Sequence, residues 1–379
     1  MHICYITSEF PTKGLNSGGI GSVVKFLGEK LVVKNIDVSV VGFYNVVSEE
    51  IEVVSNINVY RLPKSKWKFT RFYDNKKRLL KKINEISSIN TIDIVEGSEL
   101  NFAFFPKKVN YKKVIRLHGG HHFFAIELNK KTAFWRSYQE IKSFKNADDF
   151  IAVSDYVGDQ TKKYLNIDFN FKTIYNTVDT DIFKNNNPQE FKKNSLLFVG
   201  TICEKKGIRQ LIQAIPIIKK QVPDVVLNII GRDWRFPDGK SYIEYLKTFI
   251  LNEDINNINI IGPVTHVEVP KFIEKTDVCV YPSHMEAMPI AWLEGLAMGK
   301  KVVASNIGPG IELVKDNETG LLIDPYSPKD IAEKIIKVLL NAKESEKRAV
   351  NARKDILKRF NSDLIINQNI EFYKSIVNS

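Results

Sequence analysis

Short apolar segments rich in valine and isoleucine alternate along the chain with longer amphipathic segments. This alternation is typical of parallel β-sheets that are covered by helices on both faces. Strand-like segments lie at 2–7, 38–42, 57–61, 92–95, 113–117 and 149–153, and a second series lies at 195–200, 225–231, 258–261, 277–281, 301–304 and 320–323. Because the series restarts in the second half, the sequence predicts an α/β protein with two doubly wound, Rossmann-like domains.

The boundary between the two series is a polar segment that is rich in turn-forming residues. Residues 184–194 read KNNNPQEFKKN, which is typical of a linker. We therefore expect an N-terminal domain over 1–185 and a C-terminal domain over 186–361. Amphipathic helices are expected at 20–34, 75–88, 328–358 and 362–377. The last of them, about 362–379 in all, is expected to pack back onto the N-terminal domain.

The composition excludes several classes of protein. The 379 residues are 44% hydrophobic and 26% charged, which supports two apolar cores and excludes a disordered chain. The three cysteines, Cys4, Cys203 and Cys279, lie far apart, so neither a disulfide framework nor a zinc site is expected. No apolar run approaches the roughly 18 residues of a membrane span, and the first ten residues do not resemble a signal peptide. We expect a cytoplasmic protein, and peripheral contact with the inner face of the membrane stays open.

The positive charge is concentrated in one segment. The net charge is +11 at pH 7, and residues 61–82 hold ten basic residues and one acid, interleaved with aromatic residues. This pattern favours contact with an anionic membrane surface or with an acceptor. The residues expected to make that contact are Trp67, Lys68, Arg71, Lys76, Lys77 and Lys81. The alternative is an ordinary surface helix whose apolar stripe packs on the N-terminal domain.

A glycine cluster is the first candidate for a binding site. The motif GGIG runs from Gly18 to Gly21 and opens a predicted helix, where glycine allows a bound group to approach the backbone. It is not GxGxxG, and no acidic residue follows at the spacing of a dinucleotide site, so a nicotinamide cofactor is not expected. A purely structural turn explains this short motif equally well.

Two glutamates in the second half are stronger candidates. Glu286 and Glu294 are separated by seven residues, and a helix that begins near Pro289 places Glu286 in the preceding loop and Glu294 two turns inside the helix. Their carboxylates can accept hydrogen bonds from sugar hydroxyls, and the free amides at the helix start favour a diphosphate. The alternative is a pair of solvent-facing glutamates on a surface helix.

These segments resemble glycosyltransferase family 4, a group of retaining, nucleotide-sugar-dependent enzymes with the GT-B fold. The resemblance covers nearly the whole chain. It rests on GGIG, RLHGG, AVSDYVGDQ, IYNTVDTDIF and FVGTICEKKG in order, and on the E-x7-E segment followed by KKVVAS, G-x-x-x-E and GLLIDP. It implies a GT-B architecture in which the two Rossmann-like domains face each other across a cleft, with the donor in the C-terminal domain and the acceptor in the N-terminal domain.

The resemblance also implies roles for individual residues. Glu286 would bind hydroxyls of the donor sugar and Glu294 those of the ribose. Lys206 would neutralise the diphosphate as it leaves, and His118 would reach toward the sugar. His118, Glu286 and Lys206 are therefore the catalytic candidates. The other donor-binding candidates are Gly18, Gly19, Thr201, Arg232, Val264, Ala287, Met288, Pro289 and Ile290.

Two positions depart from the family pattern. Thr201 stands where the family commonly has an arginine, so the expected Arg/Lys pair at the diphosphate is incomplete. Arg232, in a loop that should open on the same cleft, is a candidate replacement. Thr177 stands where glycine is usual, which we interpret as a tolerated change in a turn.

The implied reaction is retaining transfer of a hexose-type sugar from a nucleoside-diphosphate sugar to a glycan or lipid-linked acceptor. A UDP-sugar is favoured over a GDP-sugar, and surface polysaccharide biosynthesis is the expected setting. No cofactor is implied, and no metal is required because no Asp-x-Asp element occurs in a donor loop. A nucleic acid partner is not expected. Two alternatives stay open, namely a nucleotide-sugar epimerase of the same fold and a non-catalytic polyanion-binding protein that kept it.

Overall fold

The structure is a computed structural model that describes residues 1–11, 19–65, 71–187 and 190–378. Gly18, Trp67 and Lys68, as well as the side chain of Arg71, lie outside this part, so the predictions made for them have no structural counterpart here. The chain forms two compact units. The first comprises Met1–Asn176 and Asp363–Ser379, and the second comprises Thr177–Ser362.

The first unit is built on a largely parallel sheet. Its described strands are β1 (His2–Ile6), β2 (Asp37–Tyr44), β3 (Glu50–Val54), β4 (Ile57–Pro63), β5 (Ile94–Gly97), β6 (Lys112–Leu117), β7 (Asp149–Ala152) and β8 (Lys172–Thr173). They are ordered β3-β4-β2-β1-β5-β6-β7-β8, and β3 alone among them runs antiparallel to its neighbour. The helices that follow are α1 (Gly19–Val33), α2 (Arg71–Ile89), α3 (His121–Glu127), α4 (Phe134–Asn146) and α5 (Asp155–Leu165).

The second unit contains a parallel sheet with the doubly wound order. Its described strands are β9 (Lys192–Val199), β10 (Val226–Ile230), β11 (Ile258–Gly262), β12 (Thr276–Tyr281), β13 (Lys301–Ser305) and β14 (Leu321–Ile323), ordered β11-β10-β9-β12-β13-β14. The helices are α6 (Ile208–Lys219), α7 (Tyr242–Lys247), α8 (Val269–Glu274), α9 (Ile290–Ala297), α10 (Gly310–Leu313), α11 (Pro328–Leu340), α12 (Ala342–Arg359) and, returning to the first unit, α13 (Ser362–Val377). Short 3-10 helices span Glu204–Lys206 and Asn252–Asn257.

The apolar strands form the centre of each core. In the first unit Ile3, Val40, Val114 and Ile151 are fully buried, and in the second unit Leu196, Leu227, Val278 and Val303 are fully or almost fully buried. Parallel strands are covered on both faces, so successive residues of a strand are mostly apolar instead of alternating regularly with polar ones. This is why the Val- and Ile-rich runs of the sequence predict the strands.

A buried polar network attaches α13 to the first sheet. Tyr373 donates a hydrogen bond to Oε2 of Glu96 at 2.7 Å, and Nε of Arg116 donates to Oε1 of the same carboxylate at 2.8 Å. Nη2 of Arg116 also donates to Asn369 at 2.6 Å, and the hydroxyl of Tyr373 lies 3.1 Å from that of Tyr5. Since buried charges are costly unless they are paired, this network specifies where α13 packs.

The structure differs from the sequence-based expectations at several places, and the two-residue strand β8 is one that the sequence did not predict. The first unit ends at Asn176 instead of residue 185. The helix expected over 328–358 is interrupted at Asn341, whose φ of −110° and ψ of 65° are not helical. The strand β3 was missed because its side chains are exposed or half-buried, so it lacks a continuous apolar run. In the part of the chain that the structure describes, no helix is long and apolar enough to cross a membrane.

Candidate active site

The candidate site of the second unit lies where its sheet changes winding direction. Strands β9 and β12 are neighbours, but the connection from β9 leads toward one edge of the sheet and the connection from β12 toward the other. The carboxyl ends of such a strand pair form the crevice in which open α/β sheets bind ligands. Lys206 follows β9 and Glu286 follows β12, so both candidates lie at this position.

Lys206 and Glu286 form an ion pair. Nζ of Lys206 hydrogen-bonds to Oε1 of Glu286, which is 9% exposed. Burial raises the pKa of the Glu286 carboxyl, but the charges of Lys206 and Lys205 lower it by more, so the pKa lies below its ordinary value. Glu286 is therefore ionised at neutral pH, and the pair presents a hydrogen-bond acceptor beside a cation.

A glycine allows the two loops of this pair to touch. Gly207 has a φ of +68°, and a Cβ atom placed on it would lie 1.8 Å from the carbonyl oxygen of Pro282. Next to it, the backbone N–H of His284 donates to the carbonyl of Lys205 at 2.8 Å. The loop after β9 is thus held backbone to backbone against the loop after β12. This contact places Lys206 beside Glu286, 80 residues further along the chain.

Glu294 has a partner that sequence reasoning missed. As expected, α9 begins directly after Pro289, with Glu286 in the preceding loop and Glu294 in the second turn. Oε1 of Glu294 lies 2.7 Å from Nε2 of His266, in the loop after β11. Glu294 is 4% exposed, whereas the side chain of His266 is 66% exposed. The position of His266, two residues after Val264, is the signal that could have suggested it.

The remaining donor candidates of the second unit surround these two pairs. Met288 and Pro289 are buried and Ala287 and Ile290 half-buried where α9 begins, and Val264 is half-buried after β11. Thr201 is half-buried between β9 and the 3-10 helix that contains Lys206.

The loops of Thr201 and Arg232 are hydrogen-bonded to each other. The residue after Thr201, Ile202, donates its backbone N–H to the carbonyl of Arg232 at 2.9 Å. Arg232 is exposed, and its guanidinium makes no ion pair with the residues that the structure describes. This places the proposed replacement cation in a loop adjoining the threonine.

His118 lies in the first unit, directly after β6. Its backbone N–H donates to Oε1 of Glu99 at 2.6 Å. Burial, together with the charge of Arg116, lowers the pKa of His118 to about 3, so its imidazole is neutral at physiological pH. Gly19 is exposed and begins α1. The resemblance assigns His118 to the donor sugar and Gly19 to the phosphate and the acceptor.

Two buried carboxylates beneath the His118 loop were not predicted. Glu99 is 4% exposed, and burial raises its pKa to about 8. Glu140 is fully buried and accepts hydrogen bonds from the backbone N–H of His122 at 2.9 Å and from Nδ1 of the same residue at 2.5 Å. Their separation along the chain leaves no local pattern that could have joined them to His118.

Most of the described cations of the basic segment 61–82 are engaged within the first unit. Arg61 is buried and pairs with Glu52, Arg78 donates to a backbone carbonyl, and Lys82 pairs with Glu49 and Glu85. Lys81 is exposed and lies 3.7 Å from Glu85.

The apolar stripe of α2 packs into the first unit. Leu79, Ile83 and Ile86 are buried, as the ordinary surface-helix alternative expects. Of the described patch candidates, Lys77 and Lys81 are exposed and Lys76 is half-buried.

In the described ranges, no three His, Cys, Asp or Glu side chains are grouped closely enough to hold a metal ion.

Comparison with known proteins identifies the family of the chain. The model of the family "Glycosyl transferases group 1" matches residues 179–355, and that of "Glycosyltransferase Family 4" matches residues 17–182. An uncharacterised glycosyltransferase of Methanocaldococcus jannaschii is 30% identical over 262 residues, which cover 68% of this chain and 67% of that protein.

Solved structures show the same fold over nearly the whole chain. Sucrose-phosphate synthase from Thermosynechococcus elongatus superposes with a TM-score of 0.82 at 19% identity, covering 99% of this chain and 98% of the other. HepE from Anabaena, solved in complex with UDP-glucose, superposes with a TM-score of 0.79 at 15% identity, covering 99% and 100%. The protein therefore belongs to the group 1 and family 4 glycosyltransferases, which have the GT-B fold. Its class of activity is glycosyl transfer.

Proposed function

We propose that the protein transfers a hexose-type sugar from a UDP-sugar to a glycan or lipid-linked acceptor, with retention of configuration and without a metal ion. The observation that carries this proposal is the Lys206–Glu286 ion pair at the switch point of the second sheet. The His266–Glu294 pair adjoins it through α9. Together they supply one cation for a diphosphate and two carboxylates for hydroxyl groups.

The donor fits this arrangement in a definite order. Glu294 and His266, beside the loop that contains Val264, would take the ribose and the base. The diphosphate would lie against Lys206 and the backbone amides where α9 begins, and it would share the Lys206 ammonium with Glu286. Glu286 would accept hydrogen bonds from hydroxyls of the sugar. The complex of Anabaena HepE with UDP-glucose supports uridine as the nucleoside.

The chemistry follows from charge placement. The bond between the anomeric carbon and the diphosphate breaks, the acceptor oxygen attacks the same face of the sugar, and its proton passes to an oxygen of the leaving phosphate. Glu286 is not assigned as a nucleophile, because its carboxylate is held by Lys206. Lys206 and Arg232 would stabilise the negative charge that develops on the diphosphate, which is why no metal ion is needed.

The acceptor is assigned to the first unit. His118 would contact the donor sugar through a neutral imidazole, which can donate or accept one hydrogen bond. The exposed ammonium groups of Lys77 and Lys81 would attract an anionic membrane surface on the cytoplasmic side. Assembly of a surface polysaccharide is the setting that such an acceptor and such a location favour.

The first experiment is a thermal-shift panel of UDP- and GDP-sugars, followed by transfer assays with the donor that binds. Lys206→Ala should lower kcat by about 10²–10³-fold, the effect of removing one group that stabilises developing charge. Lys220→Ala, an exposed lysine at the end of α6, is the matched control and should be neutral. Chelation with EDTA should leave the rate unchanged. If no nucleotide sugar binds and Glu294→Ala changes nothing, the proposal is wrong.

A further inference from the structure

The first unit contains a cavity that the donor site does not use. Its volume is about 350 Å³, which is within the range of small-molecule sites. It lies at the carboxyl ends of β1, β2 and β5, and β1 and β5 are the neighbouring strands at which the winding of this sheet reverses. The position therefore corresponds, within the first unit, to the one that the Lys206–Glu286 pair occupies in the second.

Two lysines lie over the ring of Phe104, which is in the wall of this cavity. Lys76 also lines the cavity, whereas Lys142 is not among the described lining residues and reaches the ring from α4. Nζ of Lys76, on α2, lies 5.0 Å from the centroid of the Phe104 ring, and Nζ of Lys142, on α4, lies 4.4 Å from it. Neither lysine forms an ion pair with the residues that the structure describes. The ring face partly compensates each charge, but it does not neutralise either one.

The two ammonium groups act on each other. The pKa of Lys76 is lowered, first by burial and then by the charge of Lys142. Two half-buried like charges at one ring repel each other unless an anion lies near both of them. Most other described cations of 61–82 already have partners in the protein. Lys77 has no ion pair with the described residues either, but it is exposed, whereas Lys76 is half-buried.

The remaining lining is suited to a polar ligand that carries negative charge. Asn75, Asn101, Thr7 and Ser8 offer neutral hydrogen-bonding groups, and Glu9 is the one carboxylate among the described residues of the wall. Ile20, in the first turn of α1, also lines the cavity, so the positive end of a 15-residue helix adjoins it. These groups add donors and positive potential to the two lysines.

An exposed aromatic surface continues from the same ring. Trp135 stacks on Phe104 with centroids 6.1 Å apart, and Tyr138 stacks on Trp135 at 5.7 Å. Trp135 and Tyr138 are 46% and 43% exposed. The electron-rich faces of such rings attract the weakly positive C–H bonds of a sugar ring. An anion at the lysines and a sugar on the aromatic rings can thus belong to a single ligand.

We infer that this cavity binds the acceptor of the reaction and that the acceptor carries a compact anionic group, a phosphate or a carboxylate. This group lies near both Lys76 and Lys142. The adjoining sugar of the acceptor lies on the aromatic surface formed by Phe104, Trp135 and Tyr138. The inference rests on the proposed function in one respect, since it takes the ligand to be the acceptor. The conclusion that the ligand is anionic depends only on the two lysines and the cavity.

The test uses glucose 1-phosphate, inorganic phosphate and methyl glucoside as probes of the full chain. Binding is measured by calorimetry with UDP present in excess, so that the donor site is filled. The phosphorylated probes should bind, and methyl glucoside should bind at least about tenfold more weakly, because charge-assisted hydrogen bonds to two lysines are lost.

Matched variants then assign that binding to residues. Lys76→Gln/Lys142→Gln should weaken the binding of glucose 1-phosphate by about 10–100-fold. Lys145→Gln/Lys163→Gln changes exposed lysines of α4 and α5, which belong to neither the donor site nor the cavity, and should be neutral. Lys76→Arg/Lys142→Arg keeps both charges and should retain binding, which separates loss of charge from a folding defect. The inference would be overturned if both double Gln variants lost the same affinity for glucose 1-phosphate. It would also be overturned if charged and neutral probes bound equally well, or if neither glucose 1-phosphate nor inorganic phosphate bound.

The source of the anion is decided by sedimentation with vesicles. If binding to phosphatidylglycerol vesicles, compared with phosphatidylcholine, depends on Lys76 and Lys142, the anion belongs to a lipid headgroup. If only glucose 1-phosphate binding depends on them, it belongs to a soluble acceptor. Both results support the inference. The UDP titration that precedes each measurement keeps the two ideas separate: loss of UDP binding contradicts the proposed donor, whereas intact UDP binding without lysine dependence contradicts the acceptor site.

Discussion

Nε2 of His266 lies 2.7 Å from Oε1 of Glu294, and this contact joins the loop after β11 to the second turn of α9. The carboxylate is almost fully buried and the imidazole is largely exposed. One partner is therefore fixed in the protein, while the other is accessible to solvent. Their pairing orients the carboxylate that the proposed function assigns to the ribose.

Substitution at this pair should weaken nucleotide binding more than it slows the chemical step. Glu294→Gln removes a charged acceptor, for which a cost of about 1.5–3 kcal/mol, or about 10–100-fold in the Kd of UDP, is typical. His266→Ala should weaken binding less, because the carboxylate stays in place. Glu344→Gln, exposed on α12, is the matched control. Calorimetric titration with UDP measures all three, and an unchanged Kd for Glu294→Gln would contradict the assignment.

Gly207 should be intolerant of a side chain. Gly207→Ala combines a left-handed φ with a Cβ atom 1.8 Å from the carbonyl oxygen of Pro282, so the loop of Lys206 must move. Gly239 also has a positive φ, +86°, but open space lies around it, so Gly239→Ala carries only the backbone cost of about 1–2 kcal/mol. We expect a larger loss of unfolding free energy for Gly207→Ala. Donor binding should also weaken in Gly207→Ala but not in Gly239→Ala. Equal losses of unfolding free energy and unchanged donor binding in both variants would show that the loop relieves the clash.

Glu99 should make the first unit less stable as the pH rises above neutrality. Its pKa is about 8, against an ordinary value of 4.5, so between these values the folded state holds a proton that the unfolded state has lost. Stability therefore falls with rising pH across this window. His118, with its pKa lowered from 6.5 to about 3, acts in the opposite direction below pH 6.5. The effect of Glu99 is thus isolated between about pH 6.5 and 8.

Thermal unfolding at pH 6.5 and pH 8 measures this effect. Glu99→Gln keeps an acceptor for the N–H of His118 but has no titrating proton, so its Tm should change less over this interval than that of the wild type. Glu50→Gln, exposed on β3, is the control and should follow the wild type. If the slope of Tm against pH is the same in Glu99→Gln and the wild type, Glu99 is not the titrating group.

The network that holds α13 gives a prediction about stability. Arg116→Met leaves the carboxylate of Glu96 buried without its cation, and removal of one partner of a buried pair costs about 3–5 kcal/mol. Tyr373→Phe removes a hydroxyl that donates to Glu96, accepts from Arg116 and lies 3.1 Å from the hydroxyl of Tyr5, but it leaves the ion pair in place, so it should cost less, about 1–3 kcal/mol. Urea titration measures both losses of unfolding free energy, with Tyr138→Phe, which is half-exposed, as a neutral control. Similar losses for Arg116→Met and Tyr373→Phe would show that the ion pair contributes little.

Local pattern was enough to predict much of the fold. The fully buried strands β1 and β12 contain the apolar runs ICYI and VCVY, and α9 begins directly after Pro289, as the sequence indicated. Such features depend on backbone sterics and on the burial of adjacent residues, and both are determined by residues that are close together in the sequence. The exposed edge strand β3 lacks that signal and was missed.

The sequence by itself determined the two βα series, the family resemblance and the placement of Glu286 and Glu294 around the start of one helix. Tertiary structure alone decided which side chains meet: Lys206 with Glu286, His266 with Glu294, and Lys76 and Lys142 over Phe104. It also showed that most described cations of 61–82 are engaged within the first unit. The physical reason is that periodicity reports the environment of each residue, whereas contacts between distant residues depend on strand order and on the loops that connect the strands.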